Sequence, residues 1–170
     1  KASIWDDFVR LPGAIKNNDT ADVACDQYHL YKDDIKLLVD LGVQAYRFSI
    51  SWPRILPDGV GTPNIKGIDY YKKLLDALIE KNITPYVTLY HWDLPSALQK
   101  QGGWPCRDIL SWFEEYVDVV TSQLGTRIQN FIVLNEPSVI AYVGHYEGVH
   151  APGIKDAAAM YATMHHLNMV

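Results

Sequence analysis

The chain has 170 residues, the size of one compact domain, and its 15 Lys+Arg against 20 Asp+Glu leave a formal charge of −5. That balance is no footprint for a binder of nucleic acid or of an anionic membrane, and 48% hydrophobic with 21% charged residues excludes a disordered chain. No run approaches the ~18–20 apolar residues of a membrane span. The opening Lys1-Ala2-Ser3-Ile4-Trp5-Asp6-Asp7 sets acids where a secretory leader keeps its apolar region, which favours a cytoplasmic over a secreted location.

Helical and strand periodicities alternate along the chain. From Tyr28 to Gly42, Tyr31, Ile35, Leu38 and Val39 form one helical face, and Gly42 ends it. Ala45–Ser51 alternates with period two, setting Tyr46, Phe48 and Ile50 on one side and Arg47, Ser49 and Ser51 on the other. A second helix is predicted near Ile68–Lys81, with Ile68, Tyr71, Leu75 and Leu78 inward. Ile83–His91 reads as a strand, followed by a loop containing His91-Trp92-Asp93-Leu94-Pro95. A third helix runs from about Asp108, its predicted N-cap, to Leu124, with Phe113, Val117 and Val120 inward. Ile128–Leu134 is apolar on both faces, as a strand covered on both sides would be. A Gly/Pro-rich loop then leads to a fourth helix near Asp156.

Strand starts near 45, 83 and 128 have the spacing of βα units and imply a parallel sheet. An open doubly wound sheet and a closed (β/α)8 barrel both fit. Doubly wound nucleotide-binding sheets usually carry a Gly-rich turn after the first strand, and none occurs here. A barrel keeps its chemistry at the C-terminal strand ends, where this sequence sets Arg47/Ser51, His91/Trp92 and Asn135/Glu136. The barrel is therefore favoured. Three strands are too few for a closed one, so the expectation is an incomplete, partial (β/α)8 TIM barrel, roughly strands 2 to 4 with flanking helices.

Several residues at these ends suit chemistry. Glu136 follows an apolar strand, and Pro137 turns the chain out of the ladder, which leaves the carboxyl at the rim. Desolvation there would suit a general acid. Arg47 is the one charged residue of its strand and, facing inward, calls for a carboxylate partner. His91 and Trp92 offer an imidazole beside an indole face. Asp93, Trp104 and Tyr142 read as loop packing, and His165-His166 as ordinary surface or core. The six histidines lack metal-ligand spacing, so no metal site is expected. Cys25 and Cys106 lack Cys-x-x-Cys spacing; reduced thiols are the expectation, although spacing alone leaves a single bridge open. Asn18-Asp19-Thr20 and Asn82-Ile83-Thr84 match the N-glycosylation pattern.

Taken together, Arg47-Phe48-Ser49-Ile50-Ser51-Trp52-Pro53-Arg54-Ile55, His91-Trp92-Asp93-Leu94-Pro95 and Leu134-Asn135-Glu136-Pro137 resemble, in that order and spacing, family 1 glycoside hydrolases. Further matches are Trp5-Asp6-Asp7-Phe8, Asp22-Val23-Ala24-Cys25-Asp26, Gly102-Gly103-Trp104 and Gly148-Val149-His150-Ala151-Pro152-Gly153. The resemblance implies a retaining enzyme of β-glucosidase type on a (β/α)8 barrel, acting on terminal β-linked glucosyl or galactosyl units, with no cofactor. By the same resemblance Glu136 is the acid/base and Asn135 contacts the sugar 2-hydroxyl. His91, with Trp92 beside it, binds the sugar, and Arg47 steadies the nucleophilic carboxylate. The family's Thr-Glu-Asn-Gly type nucleophile motif is absent, and neither Asp93 nor Glu147 matches it. The chain is thus expected to be an N-terminal barrel segment, residues 1–170, whose partners are a β-glycoside substrate and the remainder of the barrel, with no nucleic acid and no membrane. The alternative is a glycan-binding or receptor-like module on the same barrel that has lost hydrolysis.

Overall fold

The computed structural model describes residues 2–170. Strands β1 (Ala45–Ser49), β2 (Thr84–Tyr90) and β3 (Asn130–Leu134) form a parallel sheet in the order β1-β2-β3. Helices α1 (Ile4–Phe8) and α2 (Gln27–Asp40) precede β1. Parallel neighbours need crossovers, supplied here by α3 (Trp52–Ile55) with α4 (Ile65–Glu80), and by α5 (Ser96–Gln99) with α6 (Ile109–Leu124). Helices α7 (Pro137–Tyr142) and α8 (Ala157–Leu167) follow β3, separated by a π-helical turn at Val143–Glu147. Among the described residues no helix is long and apolar enough to cross a membrane.

Register assigns the two sheet faces. Arg47 pairs with Tyr86 and Tyr86 with Asn130; Ser49 pairs with Thr88 and Thr88 with Ile132. The pleat sends these residues to one side and Phe48, Val87 and Phe131 to the other. On that second side Phe48, Ile50 and Val87 are buried together with Ile68, Tyr71, Leu75 and Leu78 of α4 and Phe113, Tyr116 and Val120 of α6. Each fully buried aliphatic side chain there contributes about 1.5–3 kcal/mol. The first side is open, with Arg47 and Tyr86 exposed.

A buried aromatic joint ties the helices to the strand ends. Trp52 stacks on Tyr116 with ring centroids 4.7 Å apart, and its Nε1 donates to the Gly59 carbonyl at 2.8 Å. The Tyr116 hydroxyl donates to the Leu89 carbonyl at 2.8 Å, so α6 is pinned to the end of β2. Gly67 lets α4 approach the backbone of α3: a Cβ there would stand 2.0 Å from the Arg54 carbonyl oxygen.

Several sequence expectations need correction. β1 ends at Ser49, and Ser51 is the N-cap residue of α3 rather than part of the Arg47 row of the strand; its N–H donates to the Tyr71 hydroxyl at 2.7 Å. α4 begins at Ile65, three residues before the expected Ile68. Val39 is exposed, because only Ile35 of α2 is buried against the rest of the chain. Asp108 stands before α6 in helical backbone conformation and makes no side-chain cap, whereas Asp156 caps α8 through Ala158 N and Ala159 N. β3 is not covered on both faces: it is a sheet edge, and Val133 is 43% exposed. The stretch read as a loop after Leu134 holds helix α7, with Pro137 at its first position, where the missing N–H costs nothing. Both cysteines are free thiols, with Cys25 exposed.

Candidate active site

Three strand ends converge on Asn135. Its N–H donates to the Tyr90 carbonyl at 3.0 Å, which extends the β2–β3 pairing by one residue. Its own carbonyl accepts the Trp92 indole N–H at 2.9 Å, and its side-chain Oδ1 accepts from Arg47 Nη2 at 2.6 Å. Asn135 is only 8% exposed, so these three bonds fix it. Because a guanidinium only donates, Oδ1 must face Arg47, and the amide Nδ2 is the group turned to donate elsewhere.

Arg47 reaches this position from the open face of β1. Its Nε donates to Thr88 Oγ1 at 3.0 Å, and Thr88 is fully buried. Among the described residues no carboxylate forms an ion pair with Arg47, contrary to the expectation of one; a hydroxyl and an amide oxygen orient it instead. Thr88 was not singled out from sequence. It lies opposite Ser49 on the Arg47 face, a placement that depends on the register between the two strands.

At the end of β2, Trp92 has φ +80° and Glu136, after β3, has φ +47°. Left-handed backbone at two non-glycine residues, both at strand ends, is a strain that concentrates at functional sites. It throws the Trp92 ring against His150, with centroids 5.5 Å apart, and against His91 at 5.2 Å. Partial burial, and then the positive charge of Arg47, lower the His91 pKa below its ordinary value, against an opposing pull from Glu136. The His91 ring is therefore neutral at neutral pH. Glu136 begins α7, and its carbonyl accepts from Val139 N at 3.0 Å. Glu136 is exposed, contrary to the expectation of an apolar cover, which the described residues do not supply.

The other singled-out residues fall away from this cluster. Trp104 is fully buried, as packing. Tyr142 lies on α7 and is 47% exposed rather than packed in a loop, and Glu147 is exposed at the end of the π turn. His165 is exposed, while His166 is buried with Nδ1 2.8 Å from the Trp104 carbonyl oxygen. Asp93 is more than packing. Its Oδ1 is sealed from solvent, and burial raises its pKa to about 7 despite hydrogen bonds from the Ser51 side chain and from its own and the Trp52 backbone, and despite the nearby Arg54 charge. No group of His, Cys, Asp and Glu that could hold a metal occurs among the described residues.

The profile of glycosyl hydrolase family 1 matches residues 1–170. A 1,4-beta-D-glucan glucohydrolase of Thermotoga neapolitana is 55% identical over 165 residues, which is 97% of this chain and 39% of that protein. Beta-glucosidase A of Thermotoga maritima is 56% identical over 97% of this chain and 37% of its own length. The structure of a Thermotoga maritima beta-glucosidase in complex with glucoimidazole superimposes with a TM-score of 0.97 at 55% identity, over 98% of this chain and 38% of that one. The chain thus spans well under half the length of these relatives.

Proposed function

Because the chain belongs to glycosyl hydrolase family 1 and forms part of its (β/α)8 barrel, we propose that it supplies the acid/base side of a retaining β-glucosidase site. The observation that carries this reading is the convergence on Asn135, the residue before Glu136, which gathers Arg47, Trp92 and the Tyr90 carbonyl at three adjacent strand ends. Glu136 protonates the leaving glycosidic oxygen and, in the second half of the reaction, takes a proton from the water that attacks the glycosyl-enzyme. A retaining reaction needs a second carboxyl about 5–5.5 Å away as nucleophile. Arg47, held by Thr88 and Asn135 and short of a carboxylate, is the group such a nucleophile would face.

The remaining roles follow from the donors available. Asn135 Nδ2 is turned to donate to a sugar hydroxyl, and neutral His91 both donates and accepts, which suits a polyol better than an imidazolium would. Trp92 spends its N–H on the Asn135 carbonyl, so it offers a ring face rather than a hydrogen bond. The nucleophile and the rest of the barrel come, on this reading, from chain beyond residues 1–170. Terminal β-glucosyl or β-galactosyl units are the proposed substrates, in keeping with relatives whose names carry glucosidase and glucan glucohydrolase activities.

The test uses the enzyme carrying a full barrel and a nitrophenyl β-glucoside. Glu136→Gln keeps size and removes the proton, and should lower kcat by about 10²–10⁴-fold. An undiminished rate would remove Glu136 from the mechanism. Tight glucoside binding with no turnover in the unaltered protein would favour a glycan-binding module instead.

A further inference from the structure

Thr88 belongs to the central strand, yet its hydroxyl is committed to a side chain of the neighbouring one. Arg47 of β1 pairs with Tyr86, and Thr88, two residues further along β2, shares that face of the sheet. Thr88 is fully buried, and its Oγ1 accepts from Arg47 Nε at 3.0 Å. A second bond runs from Arg47 Nη2 to Asn135 Oδ1 at 2.6 Å, just past β3. One arginine of β1 is thus held by a residue from each of the other two βα units.

The two bonds use neighbouring donors. Nε and Nη2 lie along one side of the planar guanidinium, so two acceptors there fix both its plane and its rotation. Of the five N–H groups of an arginine, these bonds leave three, both on Nη1 and the second on Nη2. They form the far end of the fork, whose paired N–H groups match the two oxygens of a carboxylate. With the Asn135 bond alone the guanidinium would turn about Nη2, since the Arg47 side chain is otherwise exposed. The branched Cβ of threonine restricts χ1, so the acceptor that prevents this turn is itself held in place.

We propose that Thr88 is a positioning residue: by holding Arg47 Nε it keeps the free end of the guanidinium aimed at the carboxylate nucleophile, and so favours that carboxylate's ionised form. This role rests on the hydrolytic reading, whereas the hold of Thr88 on Arg47 does not. Replacing the hydroxyl by a methyl leaves Nε without its acceptor, and an unpaired donor against an apolar group is costly enough to make the side chain swing away. The nucleophile then loses part of the positive charge beside it, and its pKa rises. The other titratable groups at this end of the sheet are Tyr86 on β2, His91 beyond it and Glu136 past β3. Of these, His91 already responds to Arg47, whose charge adds to burial in lowering its pKa.

The test takes the complete enzyme, its Thr88→Val and Thr88→Ser variants, and a dinitrophenyl β-glucoside, whose leaving group departs without a proton from Glu136. The acid limb of kcat/KM then reports the nucleophile, with the His91 ring followed by NMR in the same samples to tell its titration apart. Thr88→Val should move this limb up by about 0.5–1 pH unit, a loss of about 3–10-fold below it. Its crystal structure should show the Arg47 guanidinium withdrawn from residue 88. Thr88→Ser, which keeps the oxygen, should hold both the limb and Arg47 at their wild-type positions, whereas a residue that only packs would leave the limb alike in all three proteins. Thr88→Ala removes the same oxygen and supplies both readings if Thr88→Val does not fold. An acid limb unmoved without the oxygen, or an Arg47 that stays in place, would overturn the role. A wild-type enzyme with Arg47 on Thr88 but no turnover of the glucoside would reject the hydrolytic reading and the role with it, and leave only the Thr88–Arg47 hold.

Discussion

Asp93 and Glu136 are both carboxylates two or three residues past a strand end, yet their surroundings differ entirely. Glu136 is exposed on the open side, while Asp93 turns its Oδ1 into the protein beside Ser51 and Trp52. Burial lifts the Asp93 pKa from 3.8 to about 7. Below about pH 4 its carboxyl is neutral whether the chain is folded or not. Between about pH 4 and 7 the folded protein keeps a proton that the unfolded chain releases, so stability falls as pH rises through that window and is level above it. Asp93→Asn should flatten this dependence, by an amount on the order of a few kcal/mol between pH 4 and 8. Urea unfolding of both proteins across that range measures it; parallel curves would mean that Asp93 is ionised throughout. The residues that meet at Asn135 are legible in the sequence, because polar side chains at strand ends stand out against apolar strands. Thr88, the left-handed backbone at Trp92 and Glu136, and the depth of Asp93 are not, since each depends on neighbours from another βα unit.

At the scale of elements, legibility followed the strength of the period. The inner rows of α4 and α6 were read correctly because both helices are packed against the sheet along their full length. On α2, Ile35 is buried and Tyr31 and Leu38 pack partly against the core, so only Val39 falls outside the expected face. Short helices α3, α5 and α7 escaped notice, as four to six residues span too little of a 3.6-residue period to register. Pro137, taken as a break in the ladder, is equally a helix start. Close approach between elements left its own mark at Gly67. Alanine is usually the better helix former by about 1 kcal/mol, but a Cβ 2.0 Å from the Arg54 carbonyl must push α4 from α3. Gly67→Ala should therefore destabilise by about 1–3 kcal/mol, measured by thermal unfolding. A gain in stability would show that α4 moves freely against α3.

For the molecule as a whole, the sheet is where the structure departs from a closed domain. Both β1 and β3 are edges, Tyr86 is 40% and Val133 43% exposed, and Arg47 lies on the open face. Open edges invite pairing with other chains. Residues 1–170 expressed alone should accordingly associate on gel filtration and leave a β-glucoside intact. A cooperatively melting monomer that hydrolysed it would contradict the division of labour proposed here. That three strands make an incomplete barrel was legible from their spacing and number. The identity of the carboxylate for Arg47 was not, because no carboxylate among the described residues forms an ion pair with it.

The account turns on Glu136 as the group that protonates the leaving oxygen, and leaving-group dependence tests this most directly. In the complete enzyme carrying Glu136→Gln, glycosylation by a poor leaving group such as an alkyl alcohol must suffer most. A dinitrophenolate, which departs without a proton, should be released at a rate reduced far less. The account predicts a steep dependence of kcat/KM on leaving-group pKa in the variant and a shallow one in the unaltered enzyme. Equal losses across all leaving groups would contradict it.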